Sequence, residues 1–209
     1  MYCRVIRLNG DPDKTEQAIK SWIDGVLPVI KQQPGFTGAT LVGNRTTGES
    51  LGVSYFETEK AMIDARDPVR LEAMKVMDAT GTRIVEEDTC EVAVSERMKP
   101  AKTGAFVRVT TVEADPAHLA EGIAYLQEKI MPSLRTQPGV RGAFSFVNRE
   151  SGKSFTGSWW DSQADLDNSE SAIRDLRAEA IKKLGGEGTR TEAFEVYYTE
   201  ILTPAVAGR

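Results

Sequence analysis

The chain is poor in the residues that most often bind transition metals. Its 209 residues include one histidine and two cysteines, whereas a zinc site takes three or four such ligands. A histidine-activated nucleophile would have His118 as its one available base, and we interpret His118 as an ordinary solvent-facing helix residue. We therefore expect no bound metal, and we interpret Cys3 and Cys90 as buried, reduced thiols.

Long apolar runs and clusters of basic residues are missing as well. The net charge of −5 and a pI near 5.1 lack the positive footprint of a nucleic-acid binder. No stretch approaches the length of a membrane span, and the first residues carry Arg4 and Arg7 instead of the apolar core of a signal peptide. We expect a cytoplasmic protein whose partners include neither nucleic acid nor a membrane.

An internal repeat at a constant offset of 104 residues organises the chain. Residues 39–62 match residues 143–166 without a gap, and each copy places a glycine in a hairpin turn (Gly48, Gly152) and a hydroxyl residue at a helix start (Thr58, Ser162). This register indicates a duplication. It predicts a first repeat over residues 1–97, a linker over 98–104, a second repeat over 105–202 and a tail over 203–209.

Each repeat has the predicted order strand, helix, strand, strand, helix, strand. In the first repeat we place strands at residues 2–8, 36–43, 50–57 and 89–97, and a loop at 79–88. Helices are expected at 13–32, where Pro28 should kink or shorten the helix, and from Thr58 to 78, with an interruption at Asp67 and Pro68. This order is the ferredoxin-like α+β arrangement.

The third strand of each repeat carries apolar residues on both faces. One sheet face is covered by helices, so the other needs a second apolar surface. We expect the two repeats to pack sheet to sheet as an intramolecular pseudo-dimer, which is a dimeric α+β barrel encoded in one chain. Whether such chains pair further as a homodimer stays open.

Several of these features resemble the antibiotic biosynthesis monooxygenase family of the dimeric α+β barrel superfamily. They are the Pro-Gly break, the glycine hairpin, the aromatic-acid-hydroxyl helix start and the terminal Glu-Val strand, and the resemblance covers residues 1–96 and 105–200. Its sharpest point is Trp160-Asp161-Ser162, which is similar to the family's Trp-Glu-Ser. The family includes polyketide oxygenases and haem-degrading enzymes.

The haem-degrading branch implies a Trp and a His at two further positions. This chain has Ser169 and Glu179 there, and Ala65 and Lys75 in the first repeat. We therefore do not expect haem degradation.

The polyketide-oxygenase branch implies a reaction without metal or flavin, in which a phenolate substrate itself reduces dioxygen. Its site is implied to contain the motif Trp, an Asn four residues before it, a Tyr six residues after it and an Arg on the second helix. Trp160 matches, and Arg177 matches when a three-residue gap is allowed. Thr156 and Leu166 stand at the Asn and Tyr positions.

The residues themselves also indicate space beneath a helix. By strand alternation Thr156, Ser158 and Trp160 share one face. Small side chains there leave room for a ligand or for larger side chains such as Phe144 and Phe146, and both interpretations stay open.

Arg4 and Arg108 lie in the middle of predicted strands among apolar neighbours, where an unpaired guanidinium would be unfavourable. They serve either in structural ion pairs with Glu91 and Glu195 on the adjacent last strand, or as an anion clamp for an enolate or carboxylate.

These observations predict a cofactor-independent monooxygenase-like protein that acts on a small aromatic or polyketide-like anion. We expect Trp160 and Arg177 to be catalytic, and Thr156, Ser158, Arg108 and Arg4 to bind the ligand. The second repeat is favoured because the first has Phe56 and Ala73 in place of Trp160 and Arg177. The alternative is a module of the same fold that binds or senses a small hydrophobic ligand without catalysis.

Overall fold

A computed structural model describes residues 1–100 and 102–202. The predicted tail lies outside the described residues, as does residue 101 of the predicted linker. The strands are β1 (Tyr2–Asn9), β2 (Phe36–Gly43), β3 (Glu49–Phe56), β4 (Arg83–Arg97), β5 (Phe106–Glu113), β6 (Val140–Val147), β7 (Lys153–Trp160) and β8 (Glu187–Ile201). The α-helices are α1 (Thr15–Ser21), α2 (Leu27–Lys31), α3 (Glu59–Asp64), α4 (Arg66–Thr80), α5 (Leu119–Tyr125), α6 (Met131–Arg135), α7 (Gln163–Asn168) and α8 (Glu170–Lys183).

The predicted α+β class is confirmed. The hydrogen-bonded order of the strands, β1-β3-β2-β8-β5-β7-β6-β4, closes on itself as a barrel. Within the first half β3 pairs antiparallel with β1 and with β2, and within the second half β7 pairs in the same way with β5 and β6. The helices of each half follow the same order in the chain.

The chain divides into two compact units that share the long strands β4 and β8. The first unit contains residues 1–89 and the end of β8 from Glu195, and the second contains residues 90–194. In the first unit β2 pairs with the Glu195–Ile201 part of β8. In the second unit β6 pairs with the Glu91–Arg97 part of β4. The boundaries of these units therefore differ from those of the sequence repeats, and the repeat boundaries stay a prediction.

The loop predicted at residues 79–88 is wrong, because β4 begins at Arg83. Gly81 ends α4 in the left-handed conformation, with φ of 72°, and the strand follows almost at once. Arg83 and Val85 are exposed while Ile84 between them is half-buried. The three consecutive acids Glu86, Glu87 and Asp88 concealed the alternation of a strand.

The disturbance expected at Pro28 takes the form of a π-helical turn. Residues Trp22–Val26 form this turn, and the Leu27 N–H donates to the Trp22 carbonyl five residues earlier. Pro28 has no N–H to donate, and its ring would clash with the carbonyl of a regular helix, so the widened turn lets the helix continue. The same turn, Leu126–Ile130, precedes Pro132 in the second half.

The second helical segment starts as predicted and breaks slightly early. Thr58 caps α3 by accepting a hydrogen bond from the Ala61 N–H at 3.1 Å. The break falls at Ala65 instead of Asp67–Pro68, because Pro68 fits without strain in the first turn of α4.

Each unit has its own apolar core between sheet and helices. In the first unit Val26, Ile30, Phe56 and Met62 pack together, and in the second the corresponding cluster is centred on Trp160. The predicted buried thiols are confirmed, because Cys3 and Cys90 are both buried and neither forms a disulfide. Among residues 1–100 and 102–202, no helix combines the length and apolar character that a membrane span requires.

Candidate functional site

A cavity of about 120 Å³ lies in the first unit, between the sheet and the helices. Strands β1 and β3 supply one wall, and helices α1 and α4 with the π turn supply the other. The lining is mostly apolar and includes Ile6, Leu41, Val53, Trp22, Phe56 and Val69. Cavities of this kind, with an apolar lining and a few convergent polar groups, are typical of small-molecule sites.

Arg4 lies at one end of this cavity and is 7% exposed. Its Nη2 donates to the Met62 carbonyl at 2.9 Å, and its Nη1 is paired with the Glu87 carboxylate. Burial lowers the pKa of Arg4, and the attraction of Glu87 opposes that shift. An arginine stays charged even when its pKa falls, so the end of the cavity carries a positive charge.

Two more arginines converge on the same carboxylate. Arg66 Nε lies 3.2 Å from Glu87 Oε1, and Arg70 Nη1 lies 3.7 Å from Glu87 Oε2. Both side chains are 49% exposed and line the cavity. Three guanidinium groups thus face one carboxylate.

The second unit has the matching cavity, and it is smaller, about 70 Å³. One cause lies on the third strand of each half. A Cβ added to Gly52 would meet nothing within 4 Å, whereas the corresponding Thr156 fills space and its hydroxyl lies 2.9 Å from the Ser145 hydroxyl. Thr156, Ser158, Arg108 and Arg177 all line this second cavity, so the structure brings four of the six predicted site residues together.

Arg108 repeats the position of Arg4 but has different partners. Its Nη2 donates to the Leu166 carbonyl at 2.7 Å, and its Nη1 donates to Ser169 Oγ at 3.0 Å. Its charge is paired with Glu170, at 3.0 Å. Burial lowers the pKa of Arg108 and Glu170 opposes this.

Arg177 reaches the same carboxylate from α8. It donates two hydrogen bonds to Glu170, one of them at 3.1 Å, and its side chain is 18% exposed. These bonds to Arg177 lower the pKa of Glu170. Arg108 and Arg177 therefore share the Glu170 carboxylate. An anionic ligand would either displace Glu170 from these arginines or bind beside it.

Trp160, predicted as catalytic, does not line the second cavity. It is 0% exposed and packs among Ile130, Met131 and Leu166. Its indole Nε1 donates to Ser158 Oγ at 3.0 Å, and Ser158 does line the cavity. The structure thus places Trp160 behind the cavity wall. Arg4, the sixth predicted residue, belongs to the first unit.

The predicted ion-pair partners of the strand arginines are wrong. Glu91 pairs with Arg149 and Glu195 pairs with Arg45. Arg4 does pair with a glutamate of the last strand, but that residue is Glu87, which lies in the segment misassigned as a loop. Arg66 and Arg70 were not identified, although their spacing of four residues on a helix indicates a shared face.

In the described part of the chain, no three His, Cys, Asp or Glu side chains are grouped closely enough to share a metal ion. His118 lies in a short 3-10 turn with a side chain that is 49% exposed and 3.4 Å from Asp115. This position agrees with its interpretation as a surface residue.

Comparison of the sequence with known proteins finds relatives of nearly equal length. No protein-family model matches the chain. The uncharacterised protein Rv2557 of Mycobacterium tuberculosis is 26% identical over 207 residues, which are 98% of this chain and 91% of that protein. The uncharacterised protein Rv2558 of the same organism is 24% identical over 208 residues, or 98% and 86% of the two chains.

Solved structures share the fold. The chain superposes on an anthrone oxidase-like protein with a TM-score of 0.70 at 14% identity, covering 96% of this chain and 93% of that one. A proposed monooxygenase from Fusobacterium nucleatum gives 0.72 at 14% identity, with coverage of 96% and 94%. A ferredoxin-fold protein related to antibiotic biosynthesis monooxygenases, from Listeria monocytogenes, gives 0.56 at 11%, with coverage of 94% and 95%.

These comparisons confirm the resemblance at the level of the fold. The chain has a monooxygenase-like α+β fold. At identities this low the likeness does not extend to the reaction, because one fold carries many chemistries.

Proposed function

We propose that the protein is a cofactor-independent monooxygenase-like protein that acts on a small aromatic or polyketide-like anion. One observation carries the proposal: in each unit an apolar cavity between sheet and helices ends at a buried arginine, Arg4 or Arg108. Such a cavity can hold an apolar molecule and at the same time stabilise a negative oxygen on it.

The proposed chemistry needs little from the protein besides binding. A phenolate or enolate is rich in electrons, and the guanidinium groups would hold it in its ionised form. The substrate then reduces dioxygen. An activated CH₂ group loses its two hydrogens and gains one oxygen atom as a carbonyl, and the other oxygen atom leaves as water. The apolar walls would keep bulk water from the reactive anion.

The proposal applies to both cavities, and different observations favour each one as the substrate site. The sequence favours the second unit, where Arg177 joins Arg108 and where Thr156 and Ser158 form the wall. The cavity of the first unit is larger, about 120 Å³ against about 70 Å³. Separate substitutions of Arg4 and Arg108 would show which cavity holds the substrate.

Oxygen uptake tests the proposal. Protein treated with a chelator would be mixed with a panel of single-ring phenols that carry an activated CH₂ group, such as hydroxyphenylacetates, in an oxygen electrode, beside protein-free controls. We expect uptake above the spontaneous rate for one class of substrate. Arg4→Met or Arg108→Met should lower it by at least about tenfold, because a lost anion contact is worth roughly 1.5–3 kcal/mol. Uptake equal to the protein-free rate across the panel would rule the proposal out.

A non-catalytic binding module is the second candidate, and Leu166 favours it. This residue stands where the family resemblance implies a tyrosine, and it is 3% exposed and packed beside Trp160. A site that lacks this hydroxyl could bind an anion without directing its reaction. Tight binding of an anion whose oxygen uptake stays at the spontaneous rate would support this candidate.

A further inference from the structure

The cavity of the first unit is polar at both ends and apolar between them. Arg4 pairs with Ser54 across β1 and β3, which marks one end. Gly43 pairs with Ser50, and a Cβ on Gly43 would lie 2.5 Å from Tyr197 Cε2, so the Tyr197 ring marks the other. Ser50 and Ser54 are four residues apart on β3, which is about 13 Å along an extended strand.

The arginine end has three guanidinium groups against two carboxylates, because Asp67 as well as Glu87 attracts Arg4. Arg4, Arg66 and Arg70 all face Glu87. Arg4 is buried and holds Glu87 directly, while the other two are half exposed at the rim of the cavity. Their fork-shaped guanidinium groups suit a ligand carboxylate, which each can bind through two N–H groups.

The opposite end has a buried hydroxyl that needs a partner. Tyr197 is 7% exposed and lines the cavity, and its hydroxyl has no hydrogen-bond partner among the described residues. Burial raises the pKa of Tyr197 to about 12, so the hydroxyl keeps its proton. A buried hydroxyl without a partner is unfavourable, and a hydroxyl group on a ligand would satisfy it.

The middle of the cavity fits one flat ring. On the sheet side Ile6 and Leu41 pair with Gly52, halfway between Ser50 and Ser54. Trp22 also lines the cavity, where an aromatic side chain packs well against an aromatic ligand. Gly52 leaves open space in the wall. The volume of about 120 Å³ is close to the roughly 150 Å³ of an engineered cavity that holds benzene. A three-ring system would not fit inside.

We infer that the first unit binds a hydroxylated single-ring aromatic carboxylate, with its carboxylate on Arg66 and Arg70 and its hydroxyl on Tyr197. This inference rests on the proposed function in that the ligand is an aromatic anion, and it names the chemical class and the unit.

The second unit lacks three of these features, although Arg174 stands at the position of Arg70. Glu170 stands at the position of Arg66, Thr156 at the position of Gly52, and Ala93 at the position of Tyr197. The second half therefore supplies the substitutions that should abolish the site, and it offers matched controls at the same positions.

Isothermal titration calorimetry on the full chain tests the inference with three probes. The first is 4-hydroxycinnamate, the second is cinnamate, which lacks the hydroxyl, and the third is the neutral amide of 4-hydroxycinnamate. We expect 4-hydroxycinnamate to bind at one site per chain, cinnamate about tenfold more weakly, and the amide more weakly by at least about tenfold, because each probe loses one hydrogen-bonded contact.

Three substitutions locate the site. Arg66→Glu copies the second half and should weaken 4-hydroxycinnamate by about tenfold to a hundredfold. Gly52→Thr should fill the cavity and weaken both acids, while the control Arg174→Glu, at an exposed second-unit residue that does not line the cavity there, should change neither. Tyr197→Phe should weaken 4-hydroxycinnamate and leave cinnamate unchanged. Circular dichroism would confirm that each variant is folded, and Gly52→Ser would replace Gly52→Thr if that variant fails this check.

The outcomes separate this inference from the proposed function. Binding that is insensitive to all three first-unit substitutions, or no binding of any probe at millimolar concentration, would overturn the inference. Oxygen uptake that depends on Arg108 but not on Arg4 would then leave the proposed function standing. If the three probes bind with the expected pattern, and no member of the oxygen-electrode panel is oxidised above the protein-free rate, the inference is supported and the enzymatic proposal is ruled out.

Discussion

The indole of Trp160 donates a hydrogen bond to Ser158 Oγ at 3.0 Å, two residues earlier on the same strand. Ser158 lines the cavity of the second unit, and Trp160 does not. Trp160 therefore influences that cavity through the serine and through packing. Phe56 fills the corresponding place in the first unit, and it is 1% exposed.

Trp160→Phe should cost stability more than binding. The substitution removes the hydrogen bond to Ser158 and leaves a small void in a fully buried site, so we expect the free energy of unfolding to fall by about 1–3 kcal/mol. Urea denaturation measures this. Trp159→Phe is the control, because Trp159 is only half-buried. An unchanged urea midpoint together with lost ligand binding would show that Trp160 touches the ligand.

Alanine at two glycines of the third strands should have opposite effects. A Cβ on Gly157 would lie 2.4 Å from the Arg108 carbonyl oxygen and 2.5 Å from Phe144 Cζ, whereas a Cβ on Gly52 would meet open space. We expect Gly157→Ala to destabilise the protein by about 1–3 kcal/mol. Gly52→Ala should be neutral or slightly stabilising, since alanine restricts the unfolded chain more than glycine. Equal thermal midpoints for the two variants would contradict the different surroundings of the two glycines.

Glu170 should contribute to the pH dependence of stability. Hydrogen bonds from Arg177 lower the pKa of Glu170 in the folded protein. Its contribution is therefore fully present above the unfolded-state pKa of about 4.3, and it is lost as the pH falls through the lower folded-state value. We expect Glu170→Gln to reduce the urea midpoint at pH 7 and to have a smaller effect near pH 3. If the urea midpoint of Glu170→Gln falls further below that of the unsubstituted protein as the pH decreases, Glu170 does not have a lowered pKa in the folded protein.

Either half expressed alone should associate with itself. A fragment of residues 1–97 lacks the Glu195–Ile201 strand that pairs with β2, so it exposes an unpaired strand edge. Sedimentation velocity should show dimers or larger species of this fragment, and of residues 105–202, while the full chain serves as the reference. A soluble, monomeric fragment of residues 1–97 would show that β2 does not need the Glu195–Ile201 part of β8 as its partner.

Much of this architecture could be predicted from the sequence, because it depends on local signals that occur twice. The glycine of the hairpin, the Thr58 cap and the proline in the first helix each predict a local conformation, and the offset of 104 residues repeats them. The start of β4 was missed because Glu86, Glu87 and Asp88 make the segment as polar as a loop.

The candidate site was harder to predict, because it depends on distances between segments. The alternation of residues correctly placed Thr156 and Ser158 on the cavity wall. It also placed Trp160 on that face, but strand periodicity does not show where a cavity ends. The convergence of Arg66 and Arg70 on Glu87 joins a helix to a strand that the sequence did not reveal.

A crystal structure with 3-bromo-4-hydroxybenzoate would test most directly the claim that this protein holds an aromatic anion in an arginine-capped cavity. Anomalous scattering locates the bromine, and the electron density shows the direction of the carboxylate. We expect the bromine inside the cavity of the first unit, near Gly52, with the carboxylate within hydrogen-bonding distance of Arg66 or Arg70. A saturated crystal with no bromine in either cavity, or with the carboxylate turned away from every arginine, would contradict the account.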